Sequence, residues 1–115
     1  MVKEKTKKIT VRFSSQLKQA MDKSIIELGY GMHGKSRWVS EAIVALANIM
    51  HLNELIDDGE NIHQGTLEVV EAFYLPESTV KILRELMLNA RKHNPLLEGV
   101  QSSIIRASVV NKLLS

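Results

Sequence analysis

Residues 8–13, KITVRF, alternate strictly between polar and apolar side chains just ahead of a helical pattern. Side chains along a β-strand point to opposite faces with a period of two. The apolar face of this strand consists of Ile9, Val11 and Phe13. The opposite face is polar and basic and consists of Lys8, Thr10 and Arg12. The apolar face must be covered by the rest of the fold, whereas the basic face is suited to solvent or to a polyanion.

Two amphipathic helices are predicted after this strand. Ser14 or Ser15 can cap the first helix, because a serine oxygen at this position accepts a hydrogen bond from a free backbone N–H. Three glycines between residues 29 and 34 interrupt the pattern, and a second helix restarts near Ser36. Both segments place apolar residues at helical spacing, so each has one face for a core.

The second half of the chain repeats this order of elements. The run LEVVEAFYL at residues 67–75 is typical of a strand, and Pro76 suits the first turn of the helix that follows. A last helix is predicted with Ser102 as its cap. Aligning Phe13 with Leu75 matches the apolar positions of the two halves, which favours an internal repeat over two unrelated helical hairpins.

The expected organisation has four parts. They are a flexible basic arm at 1–7, a first strand–helix–helix unit at 8–50, an acidic linker at 51–66 and a second unit at 67–115. A unit of about 50 residues buries too little surface to be stable alone. The two units are therefore expected to share a core and form one domain.

Composition argues against several classes of function. The chain has no cysteine, and its four histidines lack short ligand spacing, so neither a metal site nor a cofactor is expected. No paired carboxylates, nucleophile–base pair or phosphate-binding loop stands out, which predicts that the protein is not an enzyme. No apolar stretch could span a membrane, and the N-terminus lacks a signal core, so a cytoplasmic protein without a membrane partner is expected.

Charge is distributed unevenly along the chain. Residues 1–50 carry nine Lys/Arg against four Asp/Glu, whereas residues 51–66 carry four acids and no Lys/Arg. A basic first half is compatible with a polyanionic partner such as nucleic acid.

The layout resembles the ribbon-helix-helix family of Arc- and MetJ-type repressors. The segments that carry the resemblance are KITVRF, SSQLKQAM, GKSRWVSEAI, FYLPESTVKIL and SSIIRASVV. The resemblance implies a mainly α fold with a short two-stranded antiparallel β-ribbon, in which residues 8–13 pair with about 70–75. Two copies in one chain imply a tandem ribbon-helix-helix pseudo-dimer, similar to TraY-type conjugation accessory proteins.

By this resemblance the protein is a sequence-specific double-stranded DNA-binding protein, either a transcriptional repressor or an accessory factor at a plasmid transfer origin. The base-reading residues it implies are Lys8, Thr10, Arg12 and Tyr74. Phosphates would be held at the starts of the second helices, through free backbone N–H groups and the helix dipole, and by the basic arm. The residues implied for phosphate binding are Lys7, Gly34, Lys35, Ser36, Arg37, Ser102 and Ser103. The unlike strands imply a non-palindromic DNA site.

Several alternatives stay open at the level of sequence. The outward residues of the second strand, Val70, Ala72 and Tyr74, are not the usual polar set. Three readings of this strand are open. It contacts DNA through thymine methyl groups or a Tyr74 hydrogen bond, or it has lost contact with DNA. Otherwise its register differs by one residue, which would turn Glu71 outward. For Trp38, partial core packing is favoured over stacking near the DNA backbone.

Two alternatives concern partners. One is an antitoxin-like interaction module whose second half binds a partner protein. The other is a homodimer in which like strands pair, or a homodimer of pseudo-dimers.

Overall fold

The computed structural model describes residues 5–31, 34–49, 67–93, 95–96 and 99–115. These residues form one two-stranded antiparallel sheet and four helices. In chain order the elements are β1 (Thr6–Phe13), α1 (Ser15–Glu27), α2 (Lys35–Ala47), β2 (Val69–Pro76), α3 (Glu77–His93) and α4 (Val100–Leu114). The predicted mainly helical fold with a two-stranded antiparallel sheet is confirmed. The expected acidic linker at 51–66 and residues 1–4 of the expected arm lie outside the described residues.

The two strands pair antiparallel in a register that runs from Phe13 opposite Val69 to Thr6 opposite Pro76. The predicted pairing of residues 8–13 with about 70–75 is therefore confirmed. β1 is longer than expected, because it begins at Thr6 inside the segment predicted as an arm. The extension pairs with the last residues of β2, and the backbone N–H of Glu77 continues the contact by donating to Lys5 O at 3.0 Å.

One face of the ribbon closes over the helices. Its buried residues are Ile9, Val11, Phe13, Phe73 and Leu75. The rings of Phe13 and Phe73 meet edge to face, with centroids 5.9 Å apart, an arrangement that aromatic pairs prefer. The ribbon is thus anchored by its apolar face and leaves the opposite face to solvent.

Local chemistry explains most of the helix starts. Ser14 caps α1, since its Oγ accepts a hydrogen bond from Leu17 N–H at 3.2 Å. The prediction that Ser102 caps the last helix was wrong. That helix begins at Val100, after Gly99 in a left-handed conformation (φ 61°) that glycine adopts without steric cost. Pro76 ends β2 rather than lying in the first turn of α3.

The last helix, α4, lies at the centre of the fold. It contacts all three other helices and β1, and the six consecutive residues 104–109 are all buried. Trp38 of α2 lies in the core, as predicted, but it is fully rather than partly buried. No helix within the described ranges is long and apolar enough to cross a membrane.

Candidate nucleic-acid interface

The solvent face of the ribbon pairs a basic strand with an apolar one. On β1, Lys8, Thr10 and Arg12 are exposed. They lie opposite Tyr74, Ala72 and Val70 respectively. Val70 is 56% exposed and Tyr74 is 54% exposed. Neither Lys8 nor Arg12 forms an ion pair with any described residue, so both cations are available to a ligand.

Helices α2 and α4 each form a hydrogen bond with one edge of this ribbon. Ser36, in the first turn of α2, accepts a hydrogen bond from the Tyr74 N–H at 2.9 Å. On the other edge, Arg106 of α4 donates from Nη1 to the Arg12 carbonyl oxygen at 3.1 Å. Arg106 is itself only 6% exposed, so this edge is fixed from within the fold. The ribbon is therefore flanked by α2 beside β2 and by α4 beside β1.

Glu71 faces the inner side of β2, which decides between the two registers left open by the sequence. Its side chain is 11% exposed and accepts from Lys35 Nζ at 2.6 Å and from Lys18 Nζ at 3.1 Å. Burial alone would raise the pKa of Glu71, but the hydrogen bonds from Lys35 and Lys18 outweigh it and lower the pKa below its ordinary value. The carboxylate is thus ionised and turned away from the ribbon's solvent face.

The two lysines that donate to Glu71 form a polar cluster with it, and each lysine has a further contact. Hydrogen bonds to Asp22, at 2.6 Å, and to Glu71 raise the pKa of Lys18. Lys35 also lies over the Phe73 ring, 5.4 Å from its centroid. Lys35 was predicted to hold a phosphate, and the structure shows it occupied by an internal carboxylate while its side chain stays 36% exposed.

Two of the residues predicted to bind phosphate are not placed for that role. Gly34 is buried, and its N–H donates to Gly31 O at 3.2 Å. Ser103 is 5% exposed, and its N–H donates to Gly99 O at 3.0 Å. The sequence could not reveal this, because the serine lies on the side of α4 that packs into the core.

The other predicted phosphate ligands lie at or near the surface. Arg37 and Lys7 are exposed, and Ser36 and Ser102 are partly exposed. Lys7 is the second residue of β1, opposite Leu75, and is exposed although it lies on the same side of the strand as Ile9.

A second polar cluster positions Arg37, and the sequence analysis missed it. Glu41 accepts hydrogen bonds from Tyr30 Oη, from Arg37 Nε at 3.0 Å and from Lys112 Nζ at 3.2 Å. The Arg37 guanidinium also lies over the Tyr30 ring, 5.1 Å from its centroid. The hydrogen bond from Tyr30 does most to lower the pKa of Glu41, with further contributions from Lys112 and Arg37. This cluster joins the turn before α2 to the end of α4.

No group of three or more His, Asp or Glu side chains within the described residues could hold a metal ion. His33, His51 and His63 lie outside those residues. The exposed side chains on the solvent face of the ribbon offer hydrogen bonds, cations and apolar contact.

Comparison of the chain with protein-family models, with curated proteins and with solved structures finds no match.

Proposed function

We propose that this protein binds double-stranded DNA sequence-specifically, with its two-stranded ribbon in the major groove. The observation that carries the proposal is the solvent face of the ribbon, where Lys8 and Arg12 flank Thr10 on a core-anchored strand and form no ion pair with a described residue. A two-stranded β-ribbon fits the width of the major groove, where each base pair presents a distinct pattern of donors and acceptors. The scaffold is well suited to presenting these side chains in a fixed geometry.

The arrangement we propose is a tandem ribbon-helix-helix pseudo-dimer. Strand, helix and helix follow one another twice along the chain, and the two strands pair with each other. In homodimers of this family the corresponding strands come from two chains. Here one chain supplies both halves, and the halves present different side chains to the groove.

The residue roles follow from side-chain chemistry. Arg12 and Lys8 suit guanine O6 and N7, and Thr10 suits a hydrogen bond or a thymine methyl group. Tyr74 and Val70 supply a hydroxyl group and apolar contact on the other strand. Phosphate contacts fall on surface residues beside the ribbon, namely Lys7, Lys35, Ser36, Arg37 and Ser102. Because β1 and β2 differ, the DNA site is non-palindromic.

The cellular role we propose is that of a transcriptional repressor or of an accessory factor at a plasmid transfer origin. In either role the protein acts by occupying its DNA site. This role needs DNA binding only, and it calls on no cofactor.

The first test is a fluorescence anisotropy titration with random-sequence duplex DNA at two salt concentrations, followed by selection of a preferred site. Arg12→Ala is expected to cost about 1–3 kcal/mol on the selected site and to relax the base preference at one position. Lys23→Ala is the control, because Lys23 is an exposed lysine on α1 whose removal should leave site preference unchanged. Absence of duplex binding at low salt would refute the proposal and would favour the antitoxin-like alternative, in which the second half binds a partner protein.

A further inference from the structure

We propose that α3 forms a second DNA-contacting surface, which holds the phosphate backbone of the duplex beyond one end of the ribbon and has no equivalent at the other end. The inference rests on the proposed function and extends it to DNA that the ribbon does not reach. It arises from the juxtaposition of the start of β1 with the first turns of α3.

Cations from two elements meet at this end of the ribbon. A pocket of about 450 Å³ is lined by Thr6, Lys7, Glu77, Val80, Lys81 and Arg84. The backbone hydrogen bond from Glu77 to Lys5 holds the start of α3 against β1. Lys7 of the ribbon and two cations of α3 therefore surround one concave surface, with the Glu77 carboxylate beside them.

The basic surface continues along α3. Arg84 also lines a shallow groove of about 360 Å³ with Met87, Leu88 and Arg91. Residues three or four apart lie on one side of a helix, so Lys81, Arg84, Leu88 and Arg91 form one exposed stripe. We call this stripe, together with Lys7, the α3 surface.

The cations of the α3 surface are not used within the fold. Neither Lys81, Arg84 nor Arg91 forms an ion pair with a described residue. The helix carries four Lys/Arg and the two carboxylates of Glu77 and Glu85. Unpaired like charges along one helix oppose its folding slightly, and they attract a polyanion that passes close by.

The opposite end of the ribbon differs in charge. There α1 follows the end of β1, as α3 follows the end of β2, and its two lysines are paired, Lys18 with Asp22 and Lys23 with Glu27. In the alignment of Phe13 with Leu75, the position of Arg84 corresponds to Asp22. Of these two helices, only α3 therefore carries cations without an ion-pair partner among the described residues, and this difference gives the protein a direction along the duplex.

Duplex DNA is the partner that this geometry favours. The α3 surface begins at the end of the strand that would lie in the major groove, and it continues the same sign of charge away from that groove. Each phosphate neutralised by a cation makes the slope of log K against log salt steeper by about 0.9. Engagement of Lys81 and Arg84 would thus add about 1.8 to the slope.

The test uses the full chain and the selected site in three duplexes, with no flank or with about one helical turn of extra DNA on the left or on the right. The wild-type protein is expected to bind one of the two flanked duplexes more tightly than the duplex without a flank. The other flanked duplex should give no gain in affinity. The double variant Lys81→Ala/Arg84→Ala should lose this gain and flatten the salt slope by about 1.8. Lys23→Ala, which removes an exposed cation at the other end of the ribbon, should keep the one-sided gain in affinity and the salt slope of the wild-type protein.

The outcomes separate the two proposals. Equal gains from both flanks, or a double variant that keeps the one-sided gain, would overturn the role of α3 while leaving Arg12-dependent binding to the core site intact. Loss of binding to every duplex by the wild-type protein would instead overturn the proposed function. Thermal unfolding of each variant checks that the exposed substitutions leave the fold unchanged.

Discussion

Replacing Glu71 by glutamine tests whether the Glu71 carboxylate competes for Lys35 with the DNA that we propose as the ligand. The substitution keeps the size of the side chain and removes its charge. In the wild-type protein Glu71 receives charge-assisted hydrogen bonds from Lys35 and Lys18 at 2.6 and 3.1 Å. Such bonds are about twice as strong as neutral ones. Both lysines are about one-third exposed and can turn to water, so the free energy of unfolding should fall by only about 1–2 kcal/mol.

The effect on DNA binding should have the opposite sign. If the released Lys35 meets one phosphate, the slope of log K against log salt steepens by about 0.9, which corresponds to about eightfold tighter binding at about 0.1 M salt and about twofold at about 0.5 M. Glu71→Gln should thus give a less stable protein that binds DNA more tightly. Anisotropy titrations over a range of salt concentrations, together with chemical denaturation, measure both quantities.

A matched control is Glu27→Gln, which also removes an acid that pairs with a lysine but lies on the far part of α1. It should leave the salt slope unchanged. Equal slopes for Glu71→Gln and the wild-type protein, or weaker binding by the variant, would refute the competition between Glu71 and phosphate.

The same cluster predicts a pH dependence. Because the folded-state pKa of Glu71 is below its ordinary value of 4.5, its contribution to stability is complete above that value and is lost as the pH falls through the folded-state pKa. Glu71→Gln should therefore flatten the dependence of the free energy of unfolding on pH in the acidic range, measured by chemical denaturation at several pH values.

Two further predictions concern the turn that leads into α2. Gly34→Ala should destabilise the fold by about 1–3 kcal/mol in chemical denaturation, because the new Cβ would collide with Tyr30 Cβ and lie 2.5 Å from the Tyr30 carbonyl oxygen; an unchanged midpoint would contradict this contact. Tyr30→Phe removes the main cause of the lowered pKa of Glu41, so the pKa should rise toward 4.5 in a carboxyl NMR titration, and a pKa that does not move would show that Lys112 and Arg37 suffice.

The ribbon and the helical elements around it were predictable because they depend on local chemistry. The alternation of residues 8–13 separates an apolar face from a polar one, and Phe13 and Arg12 indeed lie on opposite sides. Ser14 caps α1 through an oxygen that needs no partner beyond the next turn. Such features depend only on the periodicity of apolar residues and on hydrogen bonds to free backbone N–H groups nearby in the sequence.

Features that depend on distant parts of the chain were not predictable. The register that decides which side Glu71 faces stayed open in the sequence, because the lysines that neutralise Glu71 on the inner side come from α1 and α2. Ser103 was implied as a phosphate ligand, but it is only 5% exposed because α4 is buried on several sides. The contact of Glu41 with Lys112 joins residues 71 positions apart, and no periodic pattern signals it.

The pairing of β1 with β2 within one chain has a consequence for how the protein works when it is scarce. Two strands joined covalently meet at an effective concentration set by the connecting chain rather than by the number of molecules in the cell. Closing a longer connection adds only a slowly growing entropic cost. The ribbon therefore assembles in a single molecule, and dilution that would dissociate a two-chain ribbon leaves this one intact.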